Sequence, residues 1–209
     1  MPLRLNTNVA SLFSQRALSV NGDMLARSIN RISSGMRVQN ASDDAGSLGV
    51  SQGIASDLAS LKQGSRNLTD AISLVKTAEG GLGEVSAMLI RLREISSQSA
   101  TGTVGQRERG TLQLEFAALT SEIDRMANTT EFNGQKVIEG SLASTATQHI
   151  VIQSGSNTTA QDRIDLNSTI NLTAVTTSGL GLTGINISDM NSAVTAMGSL
   201  AQAIQALTN

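Results

Sequence analysis

The chain has 209 residues, 39% of them hydrophobic but only 1% aromatic, with three Phe, one Pro and no Trp, Tyr or Cys. That length fits one or two domains with an aliphatic core, and the absence of Cys excludes a disulfide scaffold, a thiolate metal centre and a Cys nucleophile. A single His, His149, rules out a multi-histidine metal cluster and leaves a Ser/His/Asp triad without support, while a net charge of −2 gives no footprint for nucleic acid.

The first 33 residues read as an amphipathic helix. Leu18, Leu25, Ile29, Ile32 and Met36 share one face. Leu5, Val9 and Leu12 share another, a short phase slip away, with Gly22 between the two sets. Ser33-Ser34-Gly35 ends the helix, and residues 34–43 read as a connector in which Ser42 or Asp43 caps the next helix. Ile54, Leu58, Leu61, Leu68, Ile72, Val75, Leu82 and Leu89 then fall on an alternation of four and three, a heptad seam for packing against other helices. A helix over 44–99 at ~1.5 Å per residue is about 84 Å long, the dimension of a rod rather than a globule. Gly80, Gly81 and Gly83 read as a place of close helix–helix approach, since the seam resumes in phase at Leu82. After a turn over 100–105, Leu112, Phe116, Leu119, Ile123 and Met126 repeat the spacing and predict a second helix over 106–128, antiparallel to the first.

After Phe132 the apolar period becomes two. Asn133-Gly134 signals a tight turn. His149, Val151 and Gln153 alternate with Ile150 and Ile152, and Arg163 and Asp165 with Ile164 and Leu166, which predicts a β-hairpin. Charge falls away here: residues 141–209 carry only Asp162, Arg163, Asp165 and Asp189. From Ser188 the helical period returns with Met190, Val194, Met197, Ala201 and Ile204, flanked by Leu200 and Leu207. That last helix stops in mid-pattern, as if cut. The fold class is therefore mainly α with a small β region, an elongated rod of long coiled-coil-like helices plus β-hairpins. Its divisions fall at 1–33, 34–43, 44–129, 130–187 and 188–209.

Three isolated signals read as structural. Gly179–Gly184 spells G-x-G-x-x-G, but no strand–turn–helix unit surrounds it and no acid follows Asp189, so it reads as a lead into the last helix. Asp43-Asp44 has no further acid nearby to build a cation site and reads as a helix cap. His149 lies in a predicted strand as a solvated or hydrogen-bonded structural residue. No stretch reaches the ~18 apolar residues of a membrane span, and residues 1–8 lack the apolar run of a cleavable signal peptide. No enzyme, cofactor, metal, nucleic-acid or membrane role emerges.

Eight motifs in order resemble the bacterial flagellins. They are Leu5-Asn6-Thr7-Asn8 with Gln15-Arg16; Ser33-Ser34-Gly35-Met36-Arg37-Val38; Ala41-Ser42-Asp43-Asp44-Ala45; Asn67-Leu68-Thr69-Asp70; Ala78-Glu79-Gly80; Arg91-Leu92-Arg93-Glu94-Ile95; Glu122-Ile123-Asp124-Arg125; and Phe132-Asn133-Gly134. The resemblance implies a subunit that stacks with copies of itself into a hollow filament for motility. It also implies export, unfolded, by the flagellar type III apparatus, with an export chaperone and a cap protein as partners, to the extracellular flagellum. Residues 1–33 supply the terminal-helix assembly stripe (Leu5, Val9, Leu12, Leu18, Leu25, Ile29, Ile32), and the heptad seam belongs to the rod. The family's second terminal helix would follow Asn209, so the chain is expected to lack the intrachain partner of its first helix. A hook–filament junction protein is the alternative within the class, and a truncated monomer acting as a receptor ligand lies outside it. Arg91, Ile95 and Gln98 fall at 0, +4 and +7 on one face, and Glu115 on the antiparallel helix can lie beside them. Read alone, these four form a patch for neighbouring subunits. The resemblance adds that they match the surface recognised by the vertebrate Toll-like receptor for flagellin.

Overall fold

The structure is a computed structural model describing residues 8–208. Among the described residues the regular elements are five α-helices, one short 3-10 turn (Ala160–Asp162) and two two-stranded antiparallel sheets, mainly α with a small β region. The chain divides into two units, residues 1–59 and 60–209.

In the first unit, α1 (Val9–Ser34) starts where the Asn8 side chain accepts the backbone N–H of Ser11 at 3.2 Å, and it ends at Gly35, whose left-handed φ of 68° needs glycine. Gly22 does not interrupt it, so the phase slip in the sequence is not a break but a change of face along one continuous helix. Leu5 lies outside the described residues. Gln39 Nε2 donates to Asn30 O at 2.9 Å and Arg31 pairs with Asp43 at 3.4 Å, tying the connector back to the end of α1. The next helix, α2 (Ala41–Ser99), is not capped by Ser42 or Asp43 as the sequence led us to expect. Asp44 has the extended backbone (φ −167°), and its carboxylate accepts Ser47 N at 3.0 Å and Ser47 Oγ at 2.6 Å, which is the work of an N-cap. Hydrogen bonds from Ser47 hold the Asp44 carboxyl below the usual carboxylate range.

The second unit holds the core, shared by α2, α3 (Gln106–Thr129), α5 (Met190–Thr208) and the segments between them. Arg109 closes the α2–α3 turn by donating to Ser99 O at 2.8 Å and Thr101 O at 2.9 Å. With Arg91 meeting Glu115 further along, the two helices run in opposite directions. β1 (Glu131–Phe132) and β2 (Gln135–Lys136) flank Asn133 and Gly134, both at positive φ, the geometry an Asn-Gly hairpin turn requires. β3 (Val151–Gln153) pairs with β4 (Arg163–Asp165) in the register Val151↔Asp165, Ile152↔Ile164, Gln153↔Arg163. A five-residue helix, α4 (Leu166–Ile170), follows directly on the Asp165 cap and has no periodic signal in the sequence. Asp189 caps α5 by accepting Ser192 N at 2.9 Å and Ser192 Oγ at 2.6 Å.

The heptad seam needs a correction of phase. Buried positions on α2 are Gly64, Ala71, Leu74, Ala78, Gly81, Val85, Leu92, Ile95 and Ser99, with Leu89 and Ser96 alongside. This lane has the three–four alternation but lies one residue, about 100°, from the expected one. Of the expected seam, Leu89 is fully buried, Leu68 and Leu82 are half-buried, and Ile54, Leu58, Leu61, Ile72 and Val75 are exposed. Among the three glycines, Gly81 alone sits at a close approach, and its neighbours are Thr130 and Ile138 rather than another helix.

Candidate functional site

Two surfaces stand out, one on each unit. On α1 none of the 26 residues is buried. Leu18, Leu25, Ile29 and Ile32 share one side, flanked by Ser11, Ser14, Asn21 and Ser28, with no charge among them. Val9 does not belong to that stripe: it lies on the opposite side with Phe13, Val20 and Met24, and Leu12 falls between. As the phase slip in the sequence implied, the apolar residues of α1 fall on two faces. Sequence reading missed Phe13, Val20 and Met24, although their spacing of seven and four was there to be counted.

On the second unit, Arg91 is the centre of an ion cluster. Its Nε and Nη2 donate to Glu115 Oε1 at 3.0 and 2.8 Å, and its Nη1 donates to Glu94 Oε2 at 3.1 Å. These acceptors hold the guanidinium above its ordinary pKa, Glu115 more than Glu94. The structure thus brings Arg91 and Glu115 together and adds Glu94, which the sequence reading left out. Gln98 is exposed on a shallow groove with Ile90, Arg93, Glu94 and Met197. Ile95 is a correction: at 1% exposure it is part of the core and offers nothing to a partner. The +4 spacing carries the side chain round to the buried lane.

The exposed stretch of the expected seam borders an apolar groove of about 400 Å³, with Leu68, Ile72 and Val75 on one wall and Ile152, Ile164 and Leu166 on the other. The β3–β4 hairpin that forms the second wall is seated on α2 at Gly64, where an added Cβ would lie 2.2 Å from Ser154 O. Asn67 Nδ2 donates to Gln153 O at 2.9 Å beside it. His149 is hydrogen-bonded, one of the two states expected of it: its Nδ1 lies 2.6 Å from Asp165 Oδ2. Asp165 spends its other oxygen on the α4 cap, accepting Asn167 N at 3.0 Å and Ser168 N at 3.4 Å. His149 is exposed and Asp165 half-buried, and their contact joins the residues before β3 to the end of β4. Gly179–Gly184 lies in irregular backbone, away from any strand–helix junction.

Comparison with known proteins agrees with this geometry. Residues 5–143 match the bacterial flagellin N-terminal helical region. The chain is similar to polar flagellin F of Vibrio parahaemolyticus, 43% identical over 148 residues, covering 71% of this chain and 39% of that protein. It is similar to the flagellin of Bacillus subtilis, 38% identical over 173 residues, covering 78% of this chain and 56% of that one. Among solved structures it is similar to Bacillus cereus flagellin, with a TM-score of 0.55 at 32% identity over 68% of this chain and 77% of that one. The chain thus spans roughly two-fifths to just over half the length of these two sequence relatives. On a match that takes in about two-thirds of its residues, the chain belongs to the bacterial flagellin family.

Proposed function

We propose that this chain is a structural subunit that assembles with copies of itself into the extracellular bacterial flagellar filament, without catalysing any reaction. What carries the reading is α1, a 26-residue helix with no buried residue, in a chain whose residues 5–143 match the flagellin N-terminal region. A helix so exposed gains its stability from packing rather than from propensity, at ~25 cal/mol for each Å² of apolar surface it buries. Export in an unfolded state by the flagellar type III apparatus, helped by an export chaperone and a cap protein, belongs to the same reading. It suits a Cys-free chain whose core is aliphatic. The test is to express a tagged copy in a flagellate bacterium and look for immunogold label along sheared filaments. Label confined to the cytoplasm overturns the proposal.

The Arg91 cluster favours a second role, as ligand of the vertebrate Toll-like receptor for flagellin. An exposed Arg fixed in place by two carboxylates is pre-organised for a partner, and Arg is enriched at binding hot spots. Arg91→Ala is expected to weaken receptor binding by monomer. Unchanged affinity counts against this role.

A further inference from the structure

Asn-Gly occurs twice in the chain, at Asn21-Gly22 and at Asn133-Gly134, and the fold treats the two in opposite ways. Gly22 lies in the interior of α1, where each N–H donates to the carbonyl four residues back and the backbone is fixed. Asn133 and Gly134 form the tip of the β1–β2 hairpin, and both are exposed. The ladder beneath them consists of Glu131↔Lys136 and Phe132↔Gln135, and neither tip residue belongs to it. Among the described residues, the Gly134 N–H has no hydrogen-bond acceptor and the Asn133 carboxamide has no partner. The carboxamides of Asn67, Asn128, Asn167, Asn171 and Asn186, by contrast, are all engaged. Space is open as well: a Cβ added at Gly134 would meet nothing within 4 Å.

These are the conditions for a reaction within the turn itself. Joining Gly134 N to Asn133 Cγ closes a small ring, and holding both groups in one chain gives them a high effective concentration. Glycine adds no side chain to obstruct the approach. We propose that Asn133 is a site of spontaneous deamidation and isoaspartate formation, directed there by the β1–β2 turn. Hydroxide removes the Gly134 amide proton, and the nitrogen attacks Asn133 Cγ. The Cγ–Nδ2 bond breaks, and the released amide takes a proton from water and leaves as ammonia. Water then opens the cyclic imide. Cleavage between Gly134 N and Cγ leaves aspartate. Cleavage between Gly134 N and the Asn133 main-chain carbonyl carbon leaves isoaspartate, with the chain now running through Cβ and Cγ. Either product adds a negative charge to a hairpin whose one cation is Lys136. Isoaspartate also adds an atom to the main chain of a two-residue turn, just ahead of the fully buried Val137 and Ile138.

The test ages the whole chain in mildly alkaline buffer and follows each Asn by tryptic peptide mass and fragmentation. The peptide spanning 126–136 is expected to gain the mass difference between a carboxamide and a carboxylic acid, with fragmentation placing the change at Asn133. Conversion at Asn133 is expected to run about ten-fold or more ahead of Asn21, because α1 must open locally before Gly22 N is free. In urea, where turn and helix are both lost, that difference is expected to disappear. Asn133→Gln is expected to hold its mass. Asn133→Asp, which has the charge without the extra main-chain atom, is expected to keep the amide protection over 131–138 that the isoaspartyl chain loses. The proposal is overturned if Asn133 keeps its carboxamide, or if the change falls on Asn128 instead. Equal rates at Asn21 and Asn133 in the folded chain overturn it too, since the dipeptide and not the turn then sets the reaction, as does a difference that persists in urea. Isoaspartate that leaves 131–138 as protected as before refutes the effect on the hairpin. No step requires assembly, so these outcomes stand apart from the filament reading.

Discussion

Asn167 is the place where one side chain holds the most backbone. It is fully buried, on the first turn of α4. Its Oδ1 accepts Ile150 N at 2.8 Å, and its Nδ2 donates to Ser141 O at 2.7 Å and Ala143 O at 2.9 Å. Asn167→Ala deletes three hydrogen bonds and leaves their backbone partners behind. Ala143 O keeps a second donor, Ala146 N, at 3.0 Å, so its loss is partial. Ile150 N and Ser141 O are left to find water or stay unpaired. A buried group stripped of its partner costs about 1–3 kcal/mol, so two such losses give roughly 2–6 kcal/mol. Asn167→Asp is expected to do at least as badly at neutral pH, because a carboxylate then faces two carbonyl oxygens. Urea unfolding gives the total. Amide exchange by mass spectrometry is expected to place the loss in residues 141–152 and 163–170 while leaving α2 and α3 protected. Stability within about 0.5 kcal/mol of the parent chain, with protection unchanged over 141–152, refutes the reasoning.

Other perturbations test separate parts of the structure. Ile95→Ala removes a fully packed side chain and is expected to cost about 2–5 kcal/mol in denaturant unfolding, whereas Ile72→Ala, 57% exposed, is expected to cost well under ~1 kcal/mol. Gly64→Val drives a side chain into Ser154 O and is expected to unseat the β3–β4 hairpin, seen as faster amide exchange over 150–166. The hydrogen bond with His149, ahead of the bonds from the α4 backbone, holds the Asp165 carboxyl below the usual carboxylate range. A depressed folded-state pKa contributes stability above the unfolded value, and that contribution is lost as pH falls through the folded one. Hairpin protection is therefore expected to fall on acidification below the ordinary Asp range, and Asp165→Asn to remove that dependence.

Much of the architecture was legible because period and punctuation are local. The bounds of α3, the Asn-Gly turn, the β3–β4 hairpin and the start of α5 all follow from apolar spacing and turn chemistry within a few residues. What was not legible depends on partners far along the chain. Asp44 rather than Ser42 or Asp43 caps α2 because the backbone turns there, and all three residues have side chains able to cap. α4 exists because Asp165 caps it and Asn167 ties it to residues 141–150, not because LNSTI carries a helical pattern. Of the Arg91 patch, spacing alone found the Glu115 contact and misplaced Ile95.

The displaced seam has one physical cause, and α5 shares it. On α5 the expected stripe is Met190, Val194, Met197, Ala201 and Ile204, whereas the buried residues are Ala193, Ala196, Leu200 and Ala203. The shift is again one residue. In both helices the buried lane is rich in small side chains: Gly64, Ala71, Ala78 and Gly81 on α2, and three alanines on α5. A heptad count weights large aliphatic residues, since each buries more area. Backbone, though, approaches most closely where side chains are smallest, as Gly64 against Ser154 and Gly81 against Thr130 show. Large side chains then sit to either side of the line of closest approach. Some of them close over the core, as Leu82 and Leu89 do, and others, such as Ile72 and Val75, stay in solvent. The seam read from the sequence was thus a real apolar lane beside the buried one. Its exposed length, like the second face of α1, is surface with the spacing of a helix-packing lane.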